Sequence, residues 1–281
     1  MKDLYTQACI ECSTLITKRY STSFSLGILM LDKEIRSDIY SIYGFVRLAD
    51  EIVDTYQDKD PAAQLKLLRE ETGRAIRNGI SFNPVLHAFQ DTVNRYNIDP
   101  EYILAFLHSM EMDLQDQKYD RALYEQYIYG SAEVVGLMCL KVFCKGDEAE
   151  FESLIKPARK LGSAFQKVNF LRDIRSDLVD RKRVYFPGLD ISRFSESDKR
   201  QIEKEIEEEF AEAQLGINRL PKNCRQGVQL ALNYYRVLLL KIAQKGPDEL
   251  LAHRIRISNF QKALLFIRNI LFGSFSPVQH A

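Results

Sequence analysis

Residues 163–178 read SAFQKVNFLRDIRSDL, and this stretch decides the fold class. On an ideal helix, which turns by about 100° per residue, Gln166, Asn169, Asp173 and Asp177 lie on one face. Apolar side chains occupy the other directions: Phe165, Val168, Leu171, Ile174 and Leu178. The pattern predicts a buried helix that carries a polar stripe into the interior of the protein.

A second stripe lies nearer the N-terminus, in IYGFVRLADEIVDT at residues 42–55. Tyr43, Arg47, Asp50 and Asp54 share one helical face, and apolar residues surround them. Burial of an unpaired carboxylate is costly, so each stripe requires a compensating cation or an aqueous cavity. If the two helices face each other, four carboxylates surround one cavity.

The spacing Asp-x-x-x-Asp is weak evidence by itself, because it also occurs at 54/58 and 116/120. Pair 54/58 runs into a polar linker, and pair 116/120 lies in the polar stretch DLQDQKYD. Only the apolar helical surroundings therefore distinguish 50/54 and 173/177 as candidate site residues.

The helical pattern continues through the rest of the chain. Apolar residues recur every three or four positions, and few residues are Gly or Pro. Together with the absence of a composition shift or repeat, this predicts a single all-α domain over residues 1–281. The predicted helices are Leu4–Ile16, Ile35–Val53, Ala62–Ile76, Pro84–Tyr96, Tyr102–Leu114, Tyr124–Phe143, Ala149–Leu178, Lys199–Leu215, Gln226–Ala243 and Ile257–Phe272.

Local signals mark the ends of these helices. Asp99-Pro100 predicts a helix start, whereas Asn78-Gly79 and Lys245-Gly246-Pro247 predict helix ends. Asp180–Ser197 is the one long irregular stretch, of a length typical of functional loops. We interpret Lys199–Ala213 as a helix with a solvated acidic face.

The composition excludes several classes of protein. With 39 Lys and Arg against 39 Asp and Glu, the chain lacks the excess positive charge of a nucleic-acid binder. Its 46% apolar residues are too many for a disordered chain. Neither a secretory signal nor an apolar run of about 18 residues is visible, so a cytoplasmic protein is expected. The five cysteines and four scattered histidines favour inert thiols over a zinc site.

The two stripes have the chemistry of a hard divalent cation site. Clustered carboxylates without His or Cys favour Mg²⁺, with Mn²⁺ as an alternative, and Mg²⁺ often binds together with substrate phosphates. Arg47 and Arg172 are suited to diphosphate oxygens, since guanidinium groups pair with them bidentately. The alternative interpretation is a structural Arg–Asp network that braces two core helices.

Four segments together resemble the phytoene/squalene synthase family of head-to-head prenyl synthases, most closely its bacterial phytoene synthases. YSTSFSLGI at 20–28 is similar to the N-terminal Ser-Phe motif of that family, and IYGFVRLADEIVDT to its first aspartate-rich motif. YIYGSAEVVG at 127–136 is similar to its central helix. QKVNFLRDIRSD at 166–177, followed by RVYFP at 183–187, is similar to its second aspartate-rich motif.

The resemblance implies an isoprenoid-synthase-type helical bundle around a central cavity, and it implies roles for the site residues. Metal ions would be held by Asp50, Asp54, Asp173 and Asp177. Substrate-binding residues would be Ser23, Phe24, Arg47, Gln166, Asn169, Arg172, Tyr234 and Arg254. Catalytic residues would be Tyr43, Arg47, Tyr127, Arg172 and Tyr185. From sequence alone, each tyrosine is equally compatible with an ordinary core position.

The implied reaction joins two geranylgeranyl diphosphates into phytoene through a cyclopropyl diphosphate intermediate, without NADPH. A squalene or dehydrosqualene synthase acting on farnesyl diphosphate is the alternative within the class, and a catalytically silent binding or assembly factor is the alternative outside it. Monomer and homodimer are both compatible with the sequence.

Two departures from the family pattern affect the phosphate contacts. Many relatives have a basic residue where this chain reads YSTSF at 20–24, and a small residue where it has Glu133. The small residues Gly130, Ser131, Ala132 and Gly136 are expected to leave room for substrate, or alternatively to allow close helix packing.

The C-terminal stretch NFQKALLFIRNILFGSF combines apolar residues with Lys262 and Arg268. It is compatible with peripheral contact with a membrane and with a closing helix that packs on the core.

Overall fold

The structure is a computed structural model of the chain, and it describes residues 3–56, 58–115, 119–179, 183–188 and 194–272. The described residues contain helices and no β-strand, which confirms the predicted all-α class. The helices are α1 (Leu4–Tyr20), α2 (Thr22–Leu29), α3 (Lys33–Asp54), α4 (Pro61–Asn78), α5 (Pro84–Tyr96), α6 (Pro100–Met112), α7 (Arg121–Ile128), α8 (Val134–Cys144), α9 (Glu148–Val179), α10 (Glu196–Arg219), α11 (Lys222–Ala243), α12 (Pro247–Ala252) and α13 (Asn259–Phe272).

The predicted helix ends are confirmed by capping contacts. Asp99 accepts a hydrogen bond from the backbone N–H of Glu101 at 2.9 Å, and α6 begins at the intervening proline. Gly79 ends α4 in the left-handed region with φ +68°.

Sequence periodicity did not predict α2, because Ser21 ends α1 and caps α2 immediately afterwards. It also missed the single-turn α12 and the π-helical turn Tyr129–Glu133 that separates α7 from α8.

The turn Tyr129–Glu133, α9 and α10 pack so closely that their contacts leave no room for a side chain. A Cβ atom on Gly162 of α9 would lie 2.7 Å from the carbonyl oxygen of Ala132, and one on Gly216 of α10 would lie 2.3 Å from Cβ of Pro157. For Gly130 the structure supports close helix packing, the second of the two interpretations of this residue, and not room for substrate. A Cβ there would lie 2.5 Å from the carbonyl oxygen of Ala105, so the absence of a side chain allows α6 to pack closely. This glycine does not line the cavity described below.

The acidic helix α10 is a correction to the sequence interpretation, since only part of its acidic face is solvated. Glu209 is buried and accepts from Lys160, Ser163 and Lys167 of α9, the lysine distances being 3.2 and 3.0 Å. Lys199, also predicted to lie on the solvated face, is 1% exposed. The side chains that remain outside are those of Lys204 and Glu208, among others. Part of this charged helix is thus an interface with α9.

One continuous helical stretch, Arg121–Cys144, is long and apolar enough to cross a membrane by length and composition. The apolar runs in the sequence were too short to predict this, because small and polar residues interrupt them. More than half of the stretch is buried within the fold, as in the core helix of a globular protein. Its residues instead line the internal cavity.

Candidate active site

A cavity of about 1030 Å³ occupies the centre of the bundle. Helices α3 and α9 both line it, and on both the apolar lining residues come first in sequence and the charged ones last. On α9 the lining runs from Leu154 to Asp177, about 35 Å at ~1.5 Å per residue. One end of the cavity is therefore apolar, and the other, which we call the mouth, is charged. The mouth is lined by Arg47, Asp50, Asp54, Asp113, Gln166, Asn169, Arg172, Asp173, Arg175, Asp177, Arg183, Arg254 and Arg256.

Most residues predicted from the sequence line this one cavity. They are Phe24, Tyr43, Arg47, Asp50, Asp54, Tyr127, Gln166, Asn169, Arg172, Asp173, Asp177, Tyr185 and Arg254. The structure does not bring Ser23 and Tyr234 to it. Ser21 and Tyr235 line the cavity in their place, while the hydroxyl of Tyr234 donates to the carbonyl oxygen of Lys262 at 3.0 Å.

In the first stripe, Arg47 contacts the neighbouring acidic side chains. Its guanidinium forms an ion pair with Glu51, approaches Asp50 to 3.9 Å, and lies 4.2 Å from the ring centroid of Tyr20. Burial, together with the charges of Asp54, Asp113 and Glu51, raises the pKa of Asp50 to about 7, although Arg47 opposes the shift. Asp50 is thus a carboxylate that a further cation would stabilise.

In the second stripe, two arginines contact the same carboxylate, that of Asp173. Nε of Arg172 donates to Asp173 Oδ1 at 3.0 Å, and Nε of Arg254, from the segment between α12 and α13, lies 2.6 Å from the same oxygen. Next to them, the Tyr235 hydroxyl donates to Asn169 Oδ1 at 3.2 Å, and its ring stacks on Phe165 with centroids 3.8 Å apart.

Arg183 and Asp113 connect the two sides of the mouth. Nη1 of Arg183 lies 3.3 Å from Asp54 and 3.7 Å from Asp113, and both side chains of the second pair are less than a tenth exposed. The hydroxyls of Tyr127 and Tyr185 donate to the two oxygens of Asp113 at 2.9 and 2.8 Å. This buried network fixes the aromatic wall of the cavity, because it holds both phenols by their hydroxyl groups.

The aromatic wall is extended by ring contacts. Phe170 stacks on Tyr185 with centroids 4.3 Å apart, and Tyr127 and Tyr119 approach Tyr185 to 4.8 and 5.3 Å. Burial raises the pKa of Tyr43 to about 12 and the pKa values of Tyr127 and Tyr185 well above the ordinary value. These three phenols are therefore neutral at physiological pH.

Glu133, whose role the sequence left open, lies outside the cavity wall. Its Oε2 accepts from Nε of Arg159 at 2.6 Å, and Arg159 also lies over the ring of Tyr129. Basic residues at the mouth that the sequence reasoning did not select are Arg175, Arg183 and Arg256. Arg175 and Arg183 lie within the quoted motifs, where their charge was the available signal, whereas Arg256 lies outside every quoted motif.

The state and the burial of the cysteines agree with the interpretation that the thiols are inert. All five cysteines are free, and burial raises the pKa of Cys139 and Cys144 to about 12. Buried thiols with such a pKa are poor nucleophiles at neutral pH.

Comparison with known proteins identifies the family. The profile described as Squalene/phytoene synthase matches residues 17–261. The chain belongs to the squalene/phytoene synthase family. Membership confirms the resemblance seen in the motifs, and it makes the chain a prenyltransferase-type protein. The arginines that pair with the aspartates also border the open cavity.

Two relatives and one solved structure illustrate the similarity. The chain is 30% identical over 262 residues to "Phytoene synthase, chloroplastic" of Narcissus pseudonarcissus, covering 86% of this chain and 60% of that protein. It is 28% identical over 255 residues to "15-cis-phytoene synthase" of Pantoea ananas, covering 81% and 80%. A crystal structure of a dehydrosqualene synthase in complex with ligand superposes with a TM-score of 0.79 at 22% identity, covering 95% of this chain and 97% of that one.

Proposed function

We propose that this protein is a Mg²⁺-dependent prenyltransferase that joins two geranylgeranyl diphosphates head to head into phytoene. The observation that carries the proposal is the division of a single cavity into a charged mouth and a long apolar interior. This division matches a substrate with a diphosphate head and a hydrocarbon tail. The relatives named phytoene synthase support the same substrate class.

The carboxylates at the mouth fit a divalent cation. Among the described residues, no three His, Cys, Asp or Glu side chains are arranged to bind one metal ion by themselves. Mg²⁺ commonly uses only one or two carboxylates and completes its coordination with substrate phosphates and water. Asp50 with Asp54, and Asp173 with Asp177, would thus hold Mg²⁺ together with diphosphate, and the bound ion would neutralise charge on the leaving group.

The arginines of this chain would bind the diphosphate oxygens directly. Charge develops on these oxygens as the carbon–oxygen bond breaks, so prepositioned guanidinium groups stabilise the transition state more than the ground state. Arg47, Arg172 and Arg254 already lie at the mouth beside the carboxylates. A diphosphate would compete with Asp173 for Arg172 and Arg254.

The aromatic wall would protect and stabilise the carbocation. Loss of the first diphosphate leaves an allylic cation, and the double bond of the second substrate attacks it with loss of a proton, giving a cyclopropyl diphosphate. Loss of the second diphosphate, rearrangement and a further proton loss yield the hydrocarbon. Ring faces such as those of Phe170 and Tyr185 attract cations, and neutral buried phenols are poor nucleophiles.

The length of the apolar interior supports a C20 substrate. The cavity wall on α8 and the turn before it runs from Ser131 to Phe143, about 18 Å at ~1.5 Å per residue. An extended C20 prenyl tail is about 19 Å long and a C15 tail about 14 Å, if each bond of ~1.5 Å advances the chain by ~1.25 Å. Leu31, Phe143, Leu154 and Leu220 line the apolar end, which we call the floor.

Substitution near the floor is expected to shorten the accepted substrate. Cys139 lines the cavity one helical turn before Phe143, so Cys139→Phe would fill the space of the terminal isoprene units. We expect the ratio of kcat/KM for C20 over C15 diphosphates to fall at least about tenfold. Cys12→Phe on exposed α1 is the matched control and should leave the ratio unchanged. An unchanged ratio in Cys139→Phe would show that chain length is determined elsewhere.

The proposed function is tested by incubating the protein with Mg²⁺ and each labelled prenyl diphosphate, with and without NADPH, and analysing the extracted hydrocarbon. We expect a C40 hydrocarbon from geranylgeranyl diphosphate whether or not NADPH is present. A C30 product from farnesyl diphosphate alone would identify a squalene-type synthase. No turnover of either substrate would indicate a silent binding protein.

A further inference from the structure

Two guanidinium groups occupy both carboxylate oxygens of Asp173. Arg172 donates through Nε to Oδ1 at 3.0 Å and through Nη2 to Oδ2. Arg254 approaches Oδ1 to 2.6 Å through Nε, and its Nη2 donates to Oδ2 at 3.3 Å. A metal ion that coordinates Asp173 would have to displace at least one of these arginines. The carboxylate is therefore not available to a metal ion while both arginines contact it.

Asp50, on α3, is a more accessible carboxylate. Its guanidinium neighbour Arg47 is 3.9 Å away and gives its shorter contact to Glu51. The Asp50 side chain is 34% exposed, whereas that of Asp173 is 14% exposed. A cation can thus approach Asp50 without first breaking a bidentate ion pair.

The charges that line the mouth form two groups of opposite net sign among the described residues. One group, which we call the α3 half, has three carboxylates and two guanidinium groups: Asp50, Asp54, Asp113, Arg47 and Arg183. The other, which we call the α9 half, has two carboxylates and four guanidinium groups: Asp173, Asp177, Arg172, Arg175, Arg254 and Arg256. The α9 half therefore attracts an anion, and the α3 half attracts a cation.

We propose that the two halves of the mouth bind their ligands in a fixed order. The α9 half binds a diphosphate without metal, and Asp173 becomes a metal ligand only after the diphosphate has displaced it from Arg172 and Arg254. The α3 half binds a divalent cation whether or not diphosphate is present. This order concerns the site of the proposed function and rests on it for the identity of the anion as a prenyl diphosphate.

The chemistry of the guanidinium group supports this exchange. It pairs bidentately with phosphate oxygens as it does with a carboxylate, and a diphosphate carries more negative charge than Asp173. Before diphosphate binds, Asp173 is a positioning residue, because it holds Arg172 and Arg254 next to each other at the mouth. The same carboxylate then competes with the anion that these arginines bind.

Titration calorimetry with inorganic diphosphate, in the presence of EDTA, tests the anion step. Asp173→Asn removes the competing charge and should tighten metal-free diphosphate binding by about tenfold or more. Asp50→Asn is the matched control, since it removes the same charge from the α3 half and should change the affinity by less than about threefold. Arg254→Gln should weaken the binding by about tenfold. Far-UV circular dichroism checks that each variant is folded.

Electron paramagnetic resonance of Mn²⁺ tests the cation step. One ion should bind to the unmodified protein alone, and a second ion only after inorganic diphosphate is added. Asp50→Asn should lose the first ion. The double variant Arg172→Gln with Arg254→Gln should bind the second ion without diphosphate, because Asp173 is then free of both arginines.

Three results would each overturn the proposal: equal diphosphate affinities for Asp173→Asn and Asp50→Asn, no metal-free binding of diphosphate, or two Mn²⁺ ions bound to the unmodified protein without diphosphate. Turnover of prenyl diphosphates separates this order from the proposed function. A protein that follows the order but makes no hydrocarbon retains the inference and loses the proposed function. A protein that makes hydrocarbon but binds both ions without diphosphate does the reverse.

Discussion

Replacing Asp50 or Asp173 by asparagine is expected to lower the turnover of prenyl diphosphate by about 100- to 1,000-fold. The two residues lie at the mouth on different helices, α3 and α9, and each would contribute a carboxylate oxygen to Mg²⁺. Asparagine keeps the shape of the side chain and removes the charge that binds the cation. Steady-state kinetics with saturating substrate and a Mg²⁺ titration measure the loss.

The control variant is Asp58→Asn, which belongs to a pair with the same spacing but lies on the surface, 73% exposed. Far-UV circular dichroism should be unchanged in all three variants, because no helix depends on these carboxylates. Without Mg²⁺, Asp50→Asn should also melt at a higher temperature than the unmodified protein, since burial and neighbouring acids disfavour the charged form of Asp50. Near-normal rates in Asp50→Asn and Asp173→Asn would refute the metal-site proposal.

Asp113→Asn is expected to have the second large effect, a loss of stability of the fold. This carboxylate is 5% exposed, pairs with Arg183, and accepts from two phenols. Removal of one partner from a buried charged pair typically costs about 3–5 kcal/mol, which for a chain of this length corresponds to a melting temperature lower by about 5–9 °C. Thermal unfolding followed by circular dichroism measures the shift.

Glu111→Gln is the matched control, since it breaks an Arg–acid pair two residues away that is more than a third exposed on both sides. Surface pairs of this kind contribute about 0–1 kcal/mol. The double variant Asp113→Asn with Arg183→Gln should lose less stability than the sum of the single variants, because the two side chains interact. A loss in Asp113→Asn no larger than in Glu111→Gln would show that the network does not stabilise the wall.

The stripes on α3 and α9 were predictable because helical periodicity fixes which residues share a face. Asp50, Asp54, Asp173 and Asp177 all line the cavity for that reason. Tyr234 shows the limit of the same reasoning. A shift of one residue rotates a side chain by about 100°, and α11 has apolar or aromatic residues on several sides, so the sequence did not distinguish Tyr234 from Tyr235.

Asp113 and Arg183 were missed for different reasons. Arg183 lies before α10, outside a regular helix, where periodicity gives no direction. Asp113 lies just after α6, at the end of the predicted helix Tyr102–Leu114, and the spacing of the aspartate pairs did not select it. Their pairing spans 70 residues of sequence and depends on the packing of α6, α9 and the segment 183–188. Both interpretations of Gly130 stayed open because a small residue is compatible with a cavity and with a close neighbouring helix, and only the position of Ala105 decides between them.

The close approach of the turn Tyr129–Glu133, α9 and α10 constrains the width of the cavity but not its length. Where Gly162 meets Ala132 and Gly216 meets Pro157, the distance between helices is set by main-chain and proline atoms that no rotamer change can move. The width of the cavity is thus rigid. Its length depends on side chains at the floor, which single substitutions can change. Divergence within this fold is therefore expected to alter product length by single substitutions far more readily than it alters the number of chains that fit side by side.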